Sequence, residues 1–285
     1  MRIGIASPIV TAVPGAHSPW ETSAGIAELG RIAESADRLG FHHLTCSEHV
    51  AVPEEMAEQR GATYWDPLAT FGYVAARTTQ IKLATQVLVL GFHHPLEIAK
   101  RYGTLDQVSG GRLVLGLGVG SLEEEFSLLG ASFADRGARA DEAISALRGS
   151  LSQRVPAFHG DFYDYDGLVV SPAAEQERVP LWIGGRTLRS LRRATSYGDG
   201  WVPFGLNPEQ LHDLLGKVEL PDGFDVVLSA GRQLDPIGDP DRAARVLTGL
   251  RKAGATIAGV ALAAESVEHY CEQLAALAVL GDKVA

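Results

Sequence analysis

Cysteine is scarce: Cys46 and Cys271 are the only two in 285 residues, and they form neither a Cys-x-x-Cys pair nor a metal spacing. A disulfide framework is excluded, and a reducing compartment, the cytoplasm, is the expected location. A surplus of positive charge is missing too. Twenty-five Lys and Arg face 35 Asp and Glu, a formal net charge of −10, so neither nucleic acid nor an anionic membrane is an expected partner. No apolar run approaches the ~18 residues needed to span a bilayer. At the N-terminus, Ser7-Pro8 and Pro14-Gly15 interrupt any signal-peptide core, and Ile3 and Ile5 read better as a first strand. The Gly-x-Ser-x-Gly nucleophile elbow is absent, which removes the serine-hydrolase reading that depends on it. Linkers, low-complexity tracts and short-period repeats are lacking as well.

What is present is an ordinary globular mixture, 46% hydrophobic and 21% charged, with 32 glycines gathered at the ends of apolar runs. Strand-like and helix-like segments alternate throughout. Strands are expected at residues 2–6, 43–47, 81–87, 112–117, 181–183, 200–203, 225–229 and 257–263. Helices are expected at 21–39, from Asp66-Pro67, from His94-Pro95 to the Ser109-Gly110-Gly111 turn, and at 135–151, 187–197, 208–218, 240–253 and 266–280. Asp66 and Pro67 have the chemistry of an N-cap and first helical residue. Residues 155–171, aromatic and acidic, read as an irregular excursion or a small hairpin. The strands do not alternate in polarity, so the sheet is buried on both faces. About eight such units in one chain suggest a (β/α)8 TIM barrel, with a doubly wound open sheet as the rival. In a barrel, the chemistry collects in the loops that follow the strands.

Four clusters fall there. Ser47-Glu48-His49 sets a carboxylate beside an imidazole, a pair able to orient a ligand and move protons. Thr85-Gln86-Val87-Leu88 is unremarkable by itself. Gly116-Leu117-Gly118-Val119-Gly120-Ser121 invites a dinucleotide reading, but Ser121 replaces the third glycine and Glu123-Glu124-Glu125 would repel a pyrophosphate. What remains is a strand end where a flat ring can approach the backbone. Trp182-Ile183-Gly184-Gly185-Arg186-Thr187 runs from strand to glycine turn to helix start, a place suited to an anion. Arg186, Arg189, Arg192 and Arg193 add a basic patch there. His42-His43 and His93-His94 do not suggest a metal, because adjacent histidines on a strand point to opposite faces and no carboxylates stand at ligand spacing. Trp20, Tyr64, Trp65, Phe92, Phe126 and Phe133 fall in or near loops and could wall an apolar pocket.

Taken together and in order, these stretches resemble the luciferase-like monooxygenase superfamily, and most of all its coenzyme F420-dependent branch. The resemblance is carried by Ser47-Glu48-His49-Val50, Tyr64-Trp65-Asp66-Pro67-Leu68, Ile81 to Leu90, His94-Pro95 and Thr104 to Leu113. It continues through Gly116 to Gly120, Gly160-Asp161-Phe162-Tyr163, Ile183-Gly184-Gly185-Arg186 and Gly198-Asp199-Gly200-Trp201. It implies a bacterial-luciferase-like barrel, one domain over 1–285, and a homodimer. It also implies an oxidoreductase that moves a hydride between a deazaflavin ring and a small organic substrate. By position, Glu48 and His49 would be catalytic, and Gln86-Val87 would be a non-proline cis peptide behind the ring. The implied cofactor contacts are Glu48, Thr85, Gln86, Val87, Gly118, Gly120, Ser121, Gly184, Gly185, Arg186 and Thr187, the last three forming a phosphate grip. Gln86 departs from the serine common at its position. Ser121 stands where some deazaflavin dehydrogenases carry a catalytic glutamate, which counts against a sugar-phosphate dehydrogenase. The alternatives are an FMN-dependent luciferase-like monooxygenase and a non-catalytic flavin- or deazaflavin-binding barrel.

Overall fold

A computed structural model describes residues 1–14 and 16–284. Gly15, half of the Pro14-Gly15 break, and Ala285, the end of the expected 1–285 domain, lie outside the described residues. The main strands are β1 (Arg2–Ile5), β2 (His43–Cys46), β3 (Lys82–Thr85), β4 (Leu113–Gly118), β5 (Leu181–Gly184), β6 (Gly200–Val202), β7 (Asp225–Ser229) and β8 (Ile257–Val260). Each pairs in parallel with its neighbour in sequence, and β8 returns to β1 with Ile257 opposite Arg2. The sheet is therefore a closed barrel, and the open-sheet rival is excluded. Alternate strand residues face inward. Ala84, Val114, Trp182, Val202, Val227 and Ile257 fill the barrel interior, whereas Leu83, Leu115, Ile183, Trp201 and Leu228 belong to the larger core shared with the helices.

Among the described residues ten helices surround the barrel: α1 (Ile26–Arg38), α2 (Glu54–Arg60), α3 (Pro67–Arg77), α4 (Pro95–Ser109), α5 (Glu123–Leu128), α6 (Arg136–Ser150), α7 (Leu188–Tyr197), α8 (Pro208–Leu215), α9 (Pro240–Lys252) and α10 (Val267–Val284). Their ends follow local chemistry. The Asp66 carboxylate accepts the Ala69 N–H at 2.8 Å ahead of Pro67. Gly110 closes α4 in the left-handed region at φ 67°.

Several boundaries differ from expectation. α1 begins at Ile26, because Pro19–Thr22 form a separate 3-10 turn. The turn places the buried Glu21 so that its carboxylate accepts the N–H groups of Ile9 and Ser18, at 2.9 and 2.7 Å. β3 stops at Thr85, because the Gln86-Val87 peptide is cis and interrupts the ladder. Pairing resumes at Leu88–Val89, against Leu117 and Gly118 of β4. α2 and α5 lie in stretches where no helix is expected, whereas the 155–171 excursion does contain a small antiparallel hairpin, Phe158–His159 with Asp164–Tyr165, one of its two expected forms.

Two of the resembling stretches turn out to fasten the scaffold. Asp106, fully buried, accepts from Leu113 N–H and from the backbone and side chain of Gln176. Arg112 spreads its guanidinium over the carbonyls of Ser109, Ile81, Ala75 and Thr78. Asp199 accepts from Arg148, Arg178 and the Leu181 N–H. Burial works against its charge, but those donors outweigh it and hold its pKa below the usual carboxylate value. Among the described residues no helix is long and apolar enough to cross a membrane.

Candidate active site

The carboxyl ends of β2 to β6 enclose a cavity of about 410 Å³, within the range of roughly 300–1,000 Å³ usual for small-molecule sites. Glu48, His49, Gln86, Val87, Gly118, Gly120, Ser121, Gly184 and Gly185 all line it, so residues scattered over the sequence meet at one barrel mouth. Three of the expected contacts do not line it. Thr85 is fully buried, its hydroxyl spent on the Gly116 carbonyl at 2.8 Å. Arg186 and Thr187 stand just past the cavity edge. Arg186 lies over the ring of Phe204, which does line the cavity, at 5.7 Å. Thr187 caps α7 by accepting the Ser190 N–H at 3.2 Å, which leaves its own hydroxyl hydrogen free to donate.

The glycines have a specific task. A Cβ on Gly118 would lie 2.5 Å from Val87 Cγ2, and one on Gly184 would lie 3.0 Å from Val87 Cγ1. Both strand ends are bare to admit the Val87 side chain, which becomes part of the cavity wall. Gly185 has φ 135°, a conformation open to glycine, and a Cβ there would meet Ser190.

Glu48 and His49 point to different partners. Glu48 is 9% exposed. Its Oε2 accepts the Val89 N–H at 2.7 Å, and its Oε1 faces His93 Nε2 at 2.7 Å. Burial disfavours the His93 cation, but the hydrogen bond and charge of Glu48, helped by Glu97, prevail and raise its pKa. Glu48 thus also braces the loop that carries Gln86 and Val87. His49 Nδ1 instead lies 2.7 Å from Glu125 Oε2 on α5. The other oxygen of Glu125 accepts the N–H groups of Val50 and Ala51, at 2.7 and 3.3 Å, so a carboxylate only 2% exposed has its acceptors filled. A carboxylate offers only acceptors, so the neutral imidazole carries its proton on Nδ1 and keeps the Nε2 lone pair free. The ring rests edge-on against Tyr64, centroids 4.5 Å apart.

Glu125 and His93 were missed as partners. In the sequence Glu125 stands only as part of an acidic run. The available signal was Glu125-Phe126 one short turn past the glycine strand end, a carboxylate next to an aromatic residue that is fully buried. The basic patch also shrinks on inspection. Arg193 is buried against Asp141 of α6, and Arg189 approaches the same carboxylate at 3.8 Å. Among the described residues no cluster of three metal-ligating side chains occurs.

A barrel whose mouth joins a His–Glu dyad to a glycine turn and helix start can also be compared with known proteins. The family model for luciferase-like monooxygenases matches residues 1–220. The chain belongs to this family. It is 30% identical over 200 residues to an uncharacterized protein of Mycobacterium tuberculosis, covering 66% of this chain and 69% of that one. It is 31% identical over 219 residues to the F420-dependent glucose-6-phosphate dehydrogenase of Nakamurella multipartita, covering 75% of this chain and 61% of that one. Its fold matches the crystal structure of monooxygenase RslO1 from Streptomyces bottropensis, with a TM-score of 0.81 at 22% identity over the full length of both chains.

Proposed function

We propose that this protein is an F420-dependent oxidoreductase acting on a small organic substrate, with His49 as the group that gives or takes the substrate proton. The observation that carries this reading is the cavity itself: it runs from the His49–Glu125 pair, past the Val87 wall, to the bare backbone of Gly184 and Gly185. Those residues fit a flat ring with an anionic tail. Val87, Gly118 and Gly120 would flank the ring. The N-terminus of α7, Arg186 and the free Thr187 hydroxyl hydrogen would hold the anion, as helix N-termini do. Similarity to an F420-dependent dehydrogenase over 75% of the chain favours the deazaflavin over FMN.

A deazaflavin bound there supplies two-electron hydride chemistry. The chain's contribution is orientation, exclusion of water and proton movement. His49 Nε2, its lone pair fixed by the bond at Nδ1, accepts a proton from a substrate hydroxyl during oxidation and returns it during reduction. Glu125 holds the tautomer and stabilises the imidazolium formed in between. Tyr64, Phe92 and Phe204 on the cavity wall keep the proton path from bulk water. The family name and the RslO1 likeness favour a second reading, an FMN monooxygenase, through the fold. Titration of the cofactor-free chain with both cofactors tests the choice. F420 binding well ahead of FMN is expected; tight FMN binding without F420 binding overturns it.

A further inference from the structure

The barrel mouth holds a second compartment on the far side of Gln86. It measures about 250 Å³, lies over the ends of β1, β2, β7 and β8, and shares Gln86, Ser47, Thr11 and Val13 with the main cavity. Gln86 also lines a third, small cavity deeper between β7 and β8. Gln86 therefore borders all three spaces, and its carboxamide has no hydrogen-bond partner among the described residues.

The walls of this chamber are polar and carry unspent hydrogen bonds. The Ser7 hydroxyl has no partner among the described residues. Thr45 Oγ1 accepts the Ser7 N–H at 3.2 Å and Ser229 Oγ accepts the Gly231 N–H at 3.1 Å, so each keeps its own hydroxyl hydrogen to donate. Gln233 donates from Nε2 to Ser18 and to the Leu262 carbonyl, which leaves its Oε1 as an acceptor. Charge is what the chamber lacks. No Lys, Arg or His is among its described lining residues, and its one carboxylate, Glu21, has an oxygen on each of two backbone N–H groups. A phosphate or carboxylate entering there would shed water without meeting a cation. A hydroxyl or carbonyl would meet donors and acceptors already in place.

The geometry points to this chamber as the subsite for an uncharged hydroxyl- or carbonyl-bearing end of the substrate of the proposed oxidoreductase, next to the main cavity in which His49 handles the proton, with the Gln86 carboxamide as its central anchor. The inference rests on the reading under Proposed function for the word substrate. The volume is about that of eight waters, given roughly 30 Å³ for each. That suits a compact molecule such as a six-carbon ring.

The test is a ligand-observed NMR titration of the full, cofactor-free chain with cyclohexanol, cyclohexanone and cyclohexanecarboxylate. The two neutral probes are expected to bind at least tenfold more tightly than the carboxylate. Gln86→Ala is expected to weaken both by at least fivefold. Ser229→Arg, at an exposed position of the rim, is expected to narrow the preference by admitting the carboxylate. Equal binding of all three probes by the unaltered chain overturns the proposal. So does unchanged neutral binding in Gln86→Ala, or an unchanged preference in Ser229→Arg, which covers the case of a Gln86 variant that does not fold. Displacement of cyclohexanol by added F420 or FMN would assign the chamber to the cofactor and also overturns it. Because the probes are read without turnover, failure of F420 to bind would sink the functional reading while leaving the chamber's selectivity standing.

Discussion

Glu125 lines the cavity and holds His49 through a 2.7 Å bond to Nδ1. Replacing it with glutamine keeps the shape but allows the amide to donate to Nδ1, which forces the proton onto Nε2. Glu125→Gln is therefore expected to lower kcat about 100-fold, the lower end of what general acid–base groups contribute, with a small change in KM. Steady-state kinetics with F420 checks it, and partial recovery in Glu125→Asp separates the charge from mere packing. Gly118 makes a different prediction. An added Cβ there collides with Val87 at 2.5 Å, so Gly118→Ala is expected to cost about 1–3 kcal/mol in urea unfolding. Val87→Ala in the same chain should recover much of that loss, a coupling that a double-mutant cycle measures. At this scale the sequence was readable where neighbours in the chain carry the meaning. Glu48-His49, Gln86-Val87 and Gly184-Gly185 could all be placed at strand ends. It was silent where the partner is remote. Nothing adjacent to His49 names Glu125, 76 residues away, and nothing beside Gly118 says that its missing side chain makes room for Val87.

Elements show the same division between local and remote causes. Asp66-Pro67 and the Gly110 stop were legible because caps are built from consecutive residues. The end of β3 was overrun because an apolar Val87-Leu88-Val89 continues past the point where the backbone leaves the ladder. α2 and α5 were passed over because six or seven residues are too few to show a helical period. Arg189 and Arg193 of α7 read as part of a ligand patch because their partner, Asp141, belongs to α6. That partnership is testable. Asp141→Ala leaves Arg193, whose side chain is 6% exposed, with the Gly137 carbonyl as its remaining acceptor. A fully buried broken pair costs about 3–5 kcal/mol. Asp141 is itself partly exposed, so about 2 kcal/mol is expected, seen as a lower urea midpoint with the slope unchanged.

For the molecule as a whole, the floor of the barrel sets a pH limit. His43 is fully buried, and its Nδ1 lies 2.9 Å from His42 Nδ1. The His42 ring stacks on Trp182, and Arg2 and Lys82 are the charges facing the pair. Burial first, then those cations, depress the pKa of His42 to about 3 and hold that of His43 well below its ordinary value of 6.5. Below pH 6.5 the unfolded chain takes up protons that the folded one refuses. The stability these two residues contribute is thus intact above 6.5 and lost as pH falls toward the folded-state values, at about 1.4 kcal/mol per pH unit for each. Urea midpoints should drop between pH 7 and pH 5, and His42→Gln should flatten the slope. The fold class was legible at this scale because eight repeats of strand and helix are a pattern spread over the whole chain. The direction of the buried histidines was not, since it depends on Gly4 making room for His43 from the next strand.

The β1–β8 seam ties the two termini of the barrel to each other. The family model stops at residue 220, ahead of β7 and β8. A fragment cut there would keep every residue of the His49 cavity yet leave β1 and β6 with bare hydrogen-bonding margins, the raw edges along which chains zip into one another. Such a fragment should precipitate on expression, and adding residues 221–285 as a separate polypeptide should rescue it, because the ring can only be shut by its own last two staves.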